Sequence, residues 1–358
     1  MTAGWRVAPL LAEHTAGRDN NVLAIRFAAA AIVILFHCYA LTDRWLEEPL
    51  YAAFAPMSLG VLGVQVFFVL SGFLVTQSWL ARPALAPYAA ARVLRIYPAL
   101  VAATVFTMVV AGATGSLPWR EYLASPQTWR YFVRTASGID VVDKLPGAFA
   151  TNPFPYAANG SLWTLPVELR LYVALGLAGV AGLLARPHAW LAAGFLLVAA
   201  ALAWPDQVPL DPNTLGTRLA ALLFLLGSLA RVWQRHLPLS LPAAALAAAL
   251  PIVDANGLAR DGPLFALILS YVVLVAAYHP ALRVSALARA PDYSYGLYVY
   301  AFPIQQAIVW AVPGIAPLPL FAAALAATLV VAAASWHMLE SPALRLKSRF
   351  RSQGMPRR

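Results

Sequence analysis

The chain has 358 residues, 61% of them hydrophobic and 11% charged, with a formal net charge of +10 and a mean hydropathy of +0.70. Soluble chains carry about 25% charged residues, so this composition excludes an ordinary soluble domain and predicts an all-α integral membrane protein in the lipid bilayer. The basic residues sit in short segments between apolar runs, which reads as membrane topology with no nucleic-acid partner and leaves room for a phosphate-bearing ligand.

The first apolar run, NVLAIRFAAAAIVILFHCYAL at 21–41, carries Arg26 and His37. A cation at the centre of a lipid-embedded helix costs about 2.5–3.5 kcal/mol on insertion scales, so such residues face a protein interior or an aqueous cavity. At about 100° per residue the two fall within about 20° on one helix face, and about 16 Å apart along its axis. Cys38 is the sole cysteine; it excludes an internal disulfide or a multi-cysteine metal site and reads as a packed, inert thiol. No small-x-small cleavage site follows Leu41, so the run is expected to stay as an uncleaved first span.

About ten spans are predicted, near 21–41, 60–81, 96–116, 161–184, 189–204, 217–234, 239–253, 263–279, 293–312 and 318–339, given roughly 20 apolar residues per span. The domain plan is a cytoplasmic segment at 1–20, a transmembrane domain at 21–340 and a basic cytoplasmic tail at 341–358. With the N-terminus inside, the inner segments hold Arg6, Arg18, Arg82, Arg92, Arg95, Arg186, Arg231, Arg235, Arg283, Arg289 and six basic residues from Arg345 to Arg358. The outer loops hold Arg44, Arg120, Arg130, Arg134, Lys144 and Arg260. This bias predicts both termini in the cytoplasm. Seven acids (Asp43, Glu47, Glu48, Asp206, Asp211, Asp254 and Asp261) fall outside.

In the third segment, YAAARVLRIYPAL, Arg92 and Arg95 are helical neighbours at the cytoplasmic mouth. Paired guanidinium forks suit phosphate, while topology alone accounts for any single arginine here. The long outer loop at 117–160 is expected to cap a substrate site. In NGSLWTLPVELRLYV, Glu168 enters from outside and lies about 10 Å below the surface, at a depth similar to His37. A carboxylate facing an imidazole fixes its tautomer and makes a general base for a hydroxyl; the plainer alternative is a buried structural pair. Arg170 reads as a snorkelling or paired charge. Tyr293, Tyr295, Tyr298 and Tyr300 line a cavity or form an aromatic belt. His337 is interfacial, and Glu340 pairs with Arg92 or Arg95 or is solvated. No nucleotide-loop, dinucleotide or metal-spaced motif is present, so neither a metal nor a bound cofactor is predicted.

Taken together, several segments resemble the acyltransferase 3 family of integral membrane O-acyltransferases. They are the Arg26-to-His37 spacing, GVQVFFVLSGFL (63–74), Arg92-x-x-Arg95-Ile-x-Pro98, NGSLWTLPVE (159–168), SYGLYVYAFP (294–303) and Glu340-Ser-Pro, in family order across nearly the whole chain. The resemblance implies transfer of an acyl group, commonly acetyl, from cytoplasmic acyl-CoA to a hydroxyl of an extracytoplasmic saccharide or glycan, in the inner membrane of a bacterium. It implies His37 as the essential catalytic residue, Arg26 as its motif partner, Glu168 as a second catalytic-site acid, and Arg92 with Arg95 on the acyl-CoA side. Asn159 and Trp163, in the same motif as Glu168, are the candidate acceptor-binding residues. Many relatives carry a histidine where this chain has Ala301, and some carry a C-terminal hydrolase-like domain that is not expected here. A covalent acyl-histidine remains a mechanistic variant. The rival from another class is a transporter using Arg26, His37 and Glu168 as a substrate or proton path, although no paired broken or inverted halves are seen.

Overall fold

A computed structural model describes residues 8–17, 19–203, 214–254, 262–284 and 290–351. Arg6, Arg18, Asp206, Asp211, Arg260, Asp261, Arg289, Arg357 and Arg358, used above for orientation, lie outside those residues. So do parts of the 1–20 segment and of the basic tail.

The described residues are helical, with only two isolated β-bridges, Leu10 to Pro238 and Lys144 to Ala157. All ten predicted segments contain helix. In chain order, α1 is Val22–Leu41, α2 Leu59–Ala81, α3 Leu85–Thr114, α4 Trp119–Ala124, α5 Pro126–Ser137 and α6 Thr164–Val180. The remaining long helices are α7 Pro187–Ala203, α8 Thr214–Val232, α9 Leu241–Val253, α10 Gly262–Tyr278, α11 Ser294–Ala311 and α12 Pro317–Ser335. Five stretches are long and apolar enough to cross a membrane: α1, α2, α3, Gly160–Val180 and Pro317–Ser348. Large apolar side chains stand exposed along several helices, among them Val105 and Val109 on α3, Leu177 on α6, Phe195 on α7 and Val330 on α12. Lipid is the solvent such faces fit.

Two differences from the predicted boundaries matter. Helix α3 starts at Leu85, eleven residues before the expected position 96, so Arg92 and Arg95 lie within its second and third turns. Pro98 sits within it without ending it. The 117–160 loop also contains α4 and α5. Ser125 caps α5 by accepting from Gln127 N (3.3 Å), Pro126 opens it, and Gly138 closes it at φ +69°, which are the residue types helix ends favour. These short helices bury Tyr122, Tyr131, Leu145, Ala148 and Phe149 with Met108 and Ala111 of α3 in a small core of their own. Tyr122 donates its hydroxyl to Met108 O (3.0 Å), and burial raises its phenol above the ordinary tyrosine range.

The chain divides into two compact units. One comprises residues 1–26, 65–81 and 181–290. In it α2 and α8 pack backbone against backbone: a Cβ at Gly72 would collide with Phe224 O, and one at Gly227 with Val69 O. Beside that contact Thr76 Oγ1 bonds Ser228 Oγ (2.7 Å), which also receives Trp190 Nε1 (3.1 Å). Asn21 anchors the start of α1 by donating to Ala276 O (3.0 Å) and Leu282 O (2.7 Å) and accepting from Val284 N (2.8 Å).

The other unit comprises residues 27–64, 82–180 and 291–358. Its central helix is α11, buried continuously from Ser294 to Gln306. Helix α3 runs parallel to it, with Arg95 beside Tyr295 and Phe106 beside Tyr300. Helix α12 runs antiparallel, with Tyr293 beside His337 and Gly296 against Ala332. Helix α1 meets the start of α2 where Gly63 faces it: a Cβ there would lie 2.6 Å from Ala29 O, so only glycine admits this approach.

Candidate functional site

Six of the seven candidate residues lie in the second unit: His37, Arg92, Arg95, Asn159, Trp163 and Glu168. Arg26 lies in the first, on the helix α1 that it shares with His37, with its guanidinium 5.4 Å from the Phe67 ring centroid.

The site is organised by one face of α11. Tyr295, Tyr298, Phe302 and Gln305 follow at helical i, i+3, i+7 and i+10, within an arc of about 80°. Tyr295 meets the arginine end. The Arg95 guanidinium lies 5.6 Å from its ring centroid and 5.8 Å from that of Trp336, while the Tyr295 hydroxyl donates to Ile96 O at 3.0 Å. Tyr298 meets the segment leading into α6: its hydroxyl donates to Ser161 O at 2.6 Å and shares a 2.7 Å hydrogen bond with Thr164 Oγ1. Phe302 meets His37, with ring centroids 5.1 Å apart in an edge arrangement, and packs over Gly160, where a Cβ would stand 2.9 Å from Cε2. Gln305 fixes the turn of α1 that carries His37, donating Nε2 to Ile34 O (2.8 Å) and Cys38 Sγ (2.9 Å). From Tyr295 to Phe302 the helix rises about 10 Å.

Arg95 is held by Asp292 at 2.6 Å and by Glu340 at 3.5 Å. Glu340, predicted to meet Arg92 or Arg95 or water, is 1% exposed and meets Arg95. A π-helical turn at Trp336–Glu340 turns Glu340 inward, where Ser335 Oγ donates to it (3.2 Å); such turns recur at functional sites. Arg92 lies between two aromatic faces, 5.9 Å from the Tyr88 centroid and 5.6 Å from that of Tyr172.

Glu168 accepts a short hydrogen bond from Tyr172, one turn along α6, and Tyr172 faces Arg92. His37 Nδ1 is buried with no hydrogen-bond partner among the described residues, so Nδ1 is not held by Glu168 here. Asn159 is fully buried and donates Nδ2 to Val299 O (2.9 Å) and Thr107 Oγ1 (3.4 Å), whereas Trp163 is 41% exposed. Tyr295, Tyr298 and Tyr300 are internal hydrogen-bonding groups and not a belt. The outer loop is tied to α11 through Gln306, whose side chain bonds Asn152 (2.7 Å), Phe154 O (2.8 Å) and Ala157 O (2.9 Å).

Asp292 and Gln305 escape a reading of the sequence. Asp292 precedes an aromatic helix as an ordinary turn residue, and only its position two residues before Ser294, whose N–H it accepts at 3.3 Å, hints at a cap. Gln305 and Gln306 form a polar pair inside an otherwise apolar span, and that was the available signal.

These features define a multi-pass membrane protein in which one buried helix face touches Arg95 at one end and His37 at the other. The chain belongs to the acyltransferase 3 family: the family's acyltransferase domain matches residues 20–337. It is similar to nodulation protein 10 of Rhizobium leguminosarum bv. viciae, 29% identical over 94% of this chain and 96% of that protein. It is also similar to the O-acetyl transferase of Shigella phage Sf6, 27% identical over 82% of this chain and 86% of the phage protein. No solved structure matches it. The protein is an O-acyltransferase, moving groups other than aminoacyl groups.

Proposed function

We propose that the chain transfers an acyl group, acetyl in the simplest case, from cytoplasmic acyl-CoA to a hydroxyl of an extracytoplasmic saccharide or glycan, in a bacterial inner membrane. It does so as a bundle of about ten spans with both termini inside. The observation that carries this reading is the single face of α11 linking the Arg95 contact at Tyr295 to the His37 contact at Phe302. Its rise of about 10 Å is within reach of a pantetheine arm. The arginine end thus takes the nucleotide and phosphates, and the thioester arrives beside the imidazole.

Arg92 and Arg95 together form the positive end that takes the phosphates, a pair of guanidinium forks suited to them. His37 takes the proton of the acceptor hydroxyl as its oxygen attacks the thioester carbonyl. The C–S bond then breaks, and the proton passes to the departing CoA thiolate. Glu168 is the second catalytic-site acid, one turn from Thr164 on the helix that follows the acceptor-side residues Asn159 and Trp163. Arg26 continues the stripe of His37 toward the cytoplasmic end of α1. The name of the phage relative supports O-acetylation, and the positive-inside bias supports the sidedness.

Purified protein in detergent tests the reaction class. Release of free CoA from acetyl-CoA that is lost in His37→Ala supports the reading. No thioester consumption, together with His37-dependent uptake of a solute or protons into proteoliposomes, would move the assignment to a transporter.

A further inference from the structure

Residues 181–203 and 214–253 of the first unit hold no aspartate or glutamate, and their charged side chains are all arginine. They build the α7–α8 hairpin. Trp190 Nε1 bonds Ser228 Oγ (3.1 Å), and a Cβ at Gly194 would stand 3.2 Å from Leu225, so the helices run antiparallel and α7 begins where α8 ends. At that end Trp233 Nε1 donates to Pro187 O (3.3 Å). Its ring centroid lies 4.9 Å from that of His188 and 5.5 Å from that of His236. Arg186, His188, Arg235 and His236 are exposed around this half-buried indole.

Arginine at a membrane edge is ordinary, and topology alone asks for no ligand. The counter-charge is what sets this end apart. Arg95 meets Asp292 and Glu340, and Arg283 meets Asp19, whereas Arg186 and Arg235 make no ion pair among the described residues. Arg231 bonds the neutral Thr15 (3.4 Å) and Gln234. The segment carrying Glu13 packs here through Ala12 N and Gln234 O (3.0 Å), but that carboxylate accepts from its own backbone at Leu10 N (3.3 Å).

The basic end is also continuous with an apolar face. His188, Leu191 and Phe195 follow at i, i+3 and i+7 along α7, within an arc of about 60°. Leu191 is 47% exposed and Phe195 74%. A soluble anion would use the arginines alone; a partner with both phosphate and acyl chains uses the whole stripe.

We propose that the basic end of the α7–α8 hairpin is a docking surface for an anionic phospholipid, with its phosphate at Arg186 and Arg235 and its chains along Leu191 and Phe195. With both termini inside, as proposed above, the lipid belongs to the inner leaflet. The docking itself does not depend on that orientation.

Native mass spectrometry of the detergent-purified full chain tests this, with phosphatidylglycerol and phosphatidylcholine of matched chains titrated separately. The wild type should retain phosphatidylglycerol in preference. Arg186→Gln with Arg235→Gln should weaken its apparent affinity about 20- to 30-fold, at roughly 5-fold per basic residue facing an anionic lipid. Arg186→Lys with Arg235→Lys keeps the charge and should keep most of the affinity. Arg82→Gln with Arg345→Gln removes the same charge from exposed positions elsewhere and should leave the affinity unchanged. Glycerol phosphate, which has the charge without the chains, should not displace the lipid. Equal retention of the two lipids overturns the proposal, and so does an equal weakening in the Arg82 and Arg345 pair, which would reduce the effect to net charge. Displacement by glycerol phosphate would assign the arginines to a soluble anion and overturn the lipid.

Discussion

Arg95 is the point at which stability and catalysis are most easily confused. Its guanidinium balances Asp292 at 2.6 Å and Glu340 at 3.5 Å, and Glu340 is 1% exposed. Removing one partner of a buried ion pair strands the other charge, at a cost of about 3–5 kcal/mol. Arg95→Met therefore removes the counter-charge of both Asp292 and the buried Glu340. For a body of 150–250 residues, roughly 2–4 °C is lost per kcal/mol, so the melt should fall by on the order of 10 °C. Cys38, the sole cysteine, is fully buried in this unit, so a thiol-reactive fluorogenic dye reports its unfolding. Adding both Asp292→Asn and Glu340→Gln to Arg95→Met removes both stranded charges and should recover most of the loss. Asp292→Asn, which leaves Arg95 its contact with Glu340, should cost less, about 1.5–3 kcal/mol for a hydrogen bond to a charged group. An unchanged melt in Arg95→Met, or a triple variant no more stable than Arg95→Met, would refute this argument.

The other expectations are simpler. His37→Ala should reduce acyl transfer by at least about 10² to 10⁴, the usual contribution of a general base, with an unaltered dye-reported melt. Arg92→Ala should raise the KM for acyl-CoA by about 10- to 100-fold, the scale of a charge-assisted contact; an equal loss with a short thioester lacking the nucleotide would limit Arg92 to topology. Gly63→Ala, whose Cβ would stand 2.6 Å from Ala29 O, should destabilise the α1–α2 contact by about 1–3 kcal/mol, read as an earlier melt. Gln306→Leu releases Phe154 O and Ala157 O and leaves Asn152 only its bond to the backbone carbonyl of residue 306, and should make residues 150–160 newly sensitive to protease added outside.

Apolar runs made the helices legible because lipid demands length and composition that a sequence displays directly. The start of α3 was not legible, since LAPYAAARVLR is too polar to count as a span although its helix continues unbroken through Pro98. Motif spacing singled out His37, Glu168 and the arginine pair as candidates, but a spacing along the chain does not say which side chain meets which. Glu168 and His37 were assigned similar depths from helix rise alone. In the structure the carboxylate is bonded to Tyr172 and His37 faces Phe302, because helix rotation decides partners and leaves no trace in hydropathy. For Glu340 the sequence left Arg92, Arg95 and water open, and the π-helical turn brings it to Arg95; Asp292 carried no signal, and it meets Arg95 from the start of α11.

Sidedness in sealed vesicles tests the central claim most directly, namely that the acyl group passes from a donor held at the arginine end to an acceptor beside His37. In right-side-out vesicles loaded with labelled acetyl-CoA, free CoA should remain in the lumen and acyl esters should appear on outward-facing glycans. Acetyl-CoA added outside should give none, and inverted vesicles should reverse both results. If donor and acceptor are productive from the same face alone, transfer along the α11 track through the membrane is wrong.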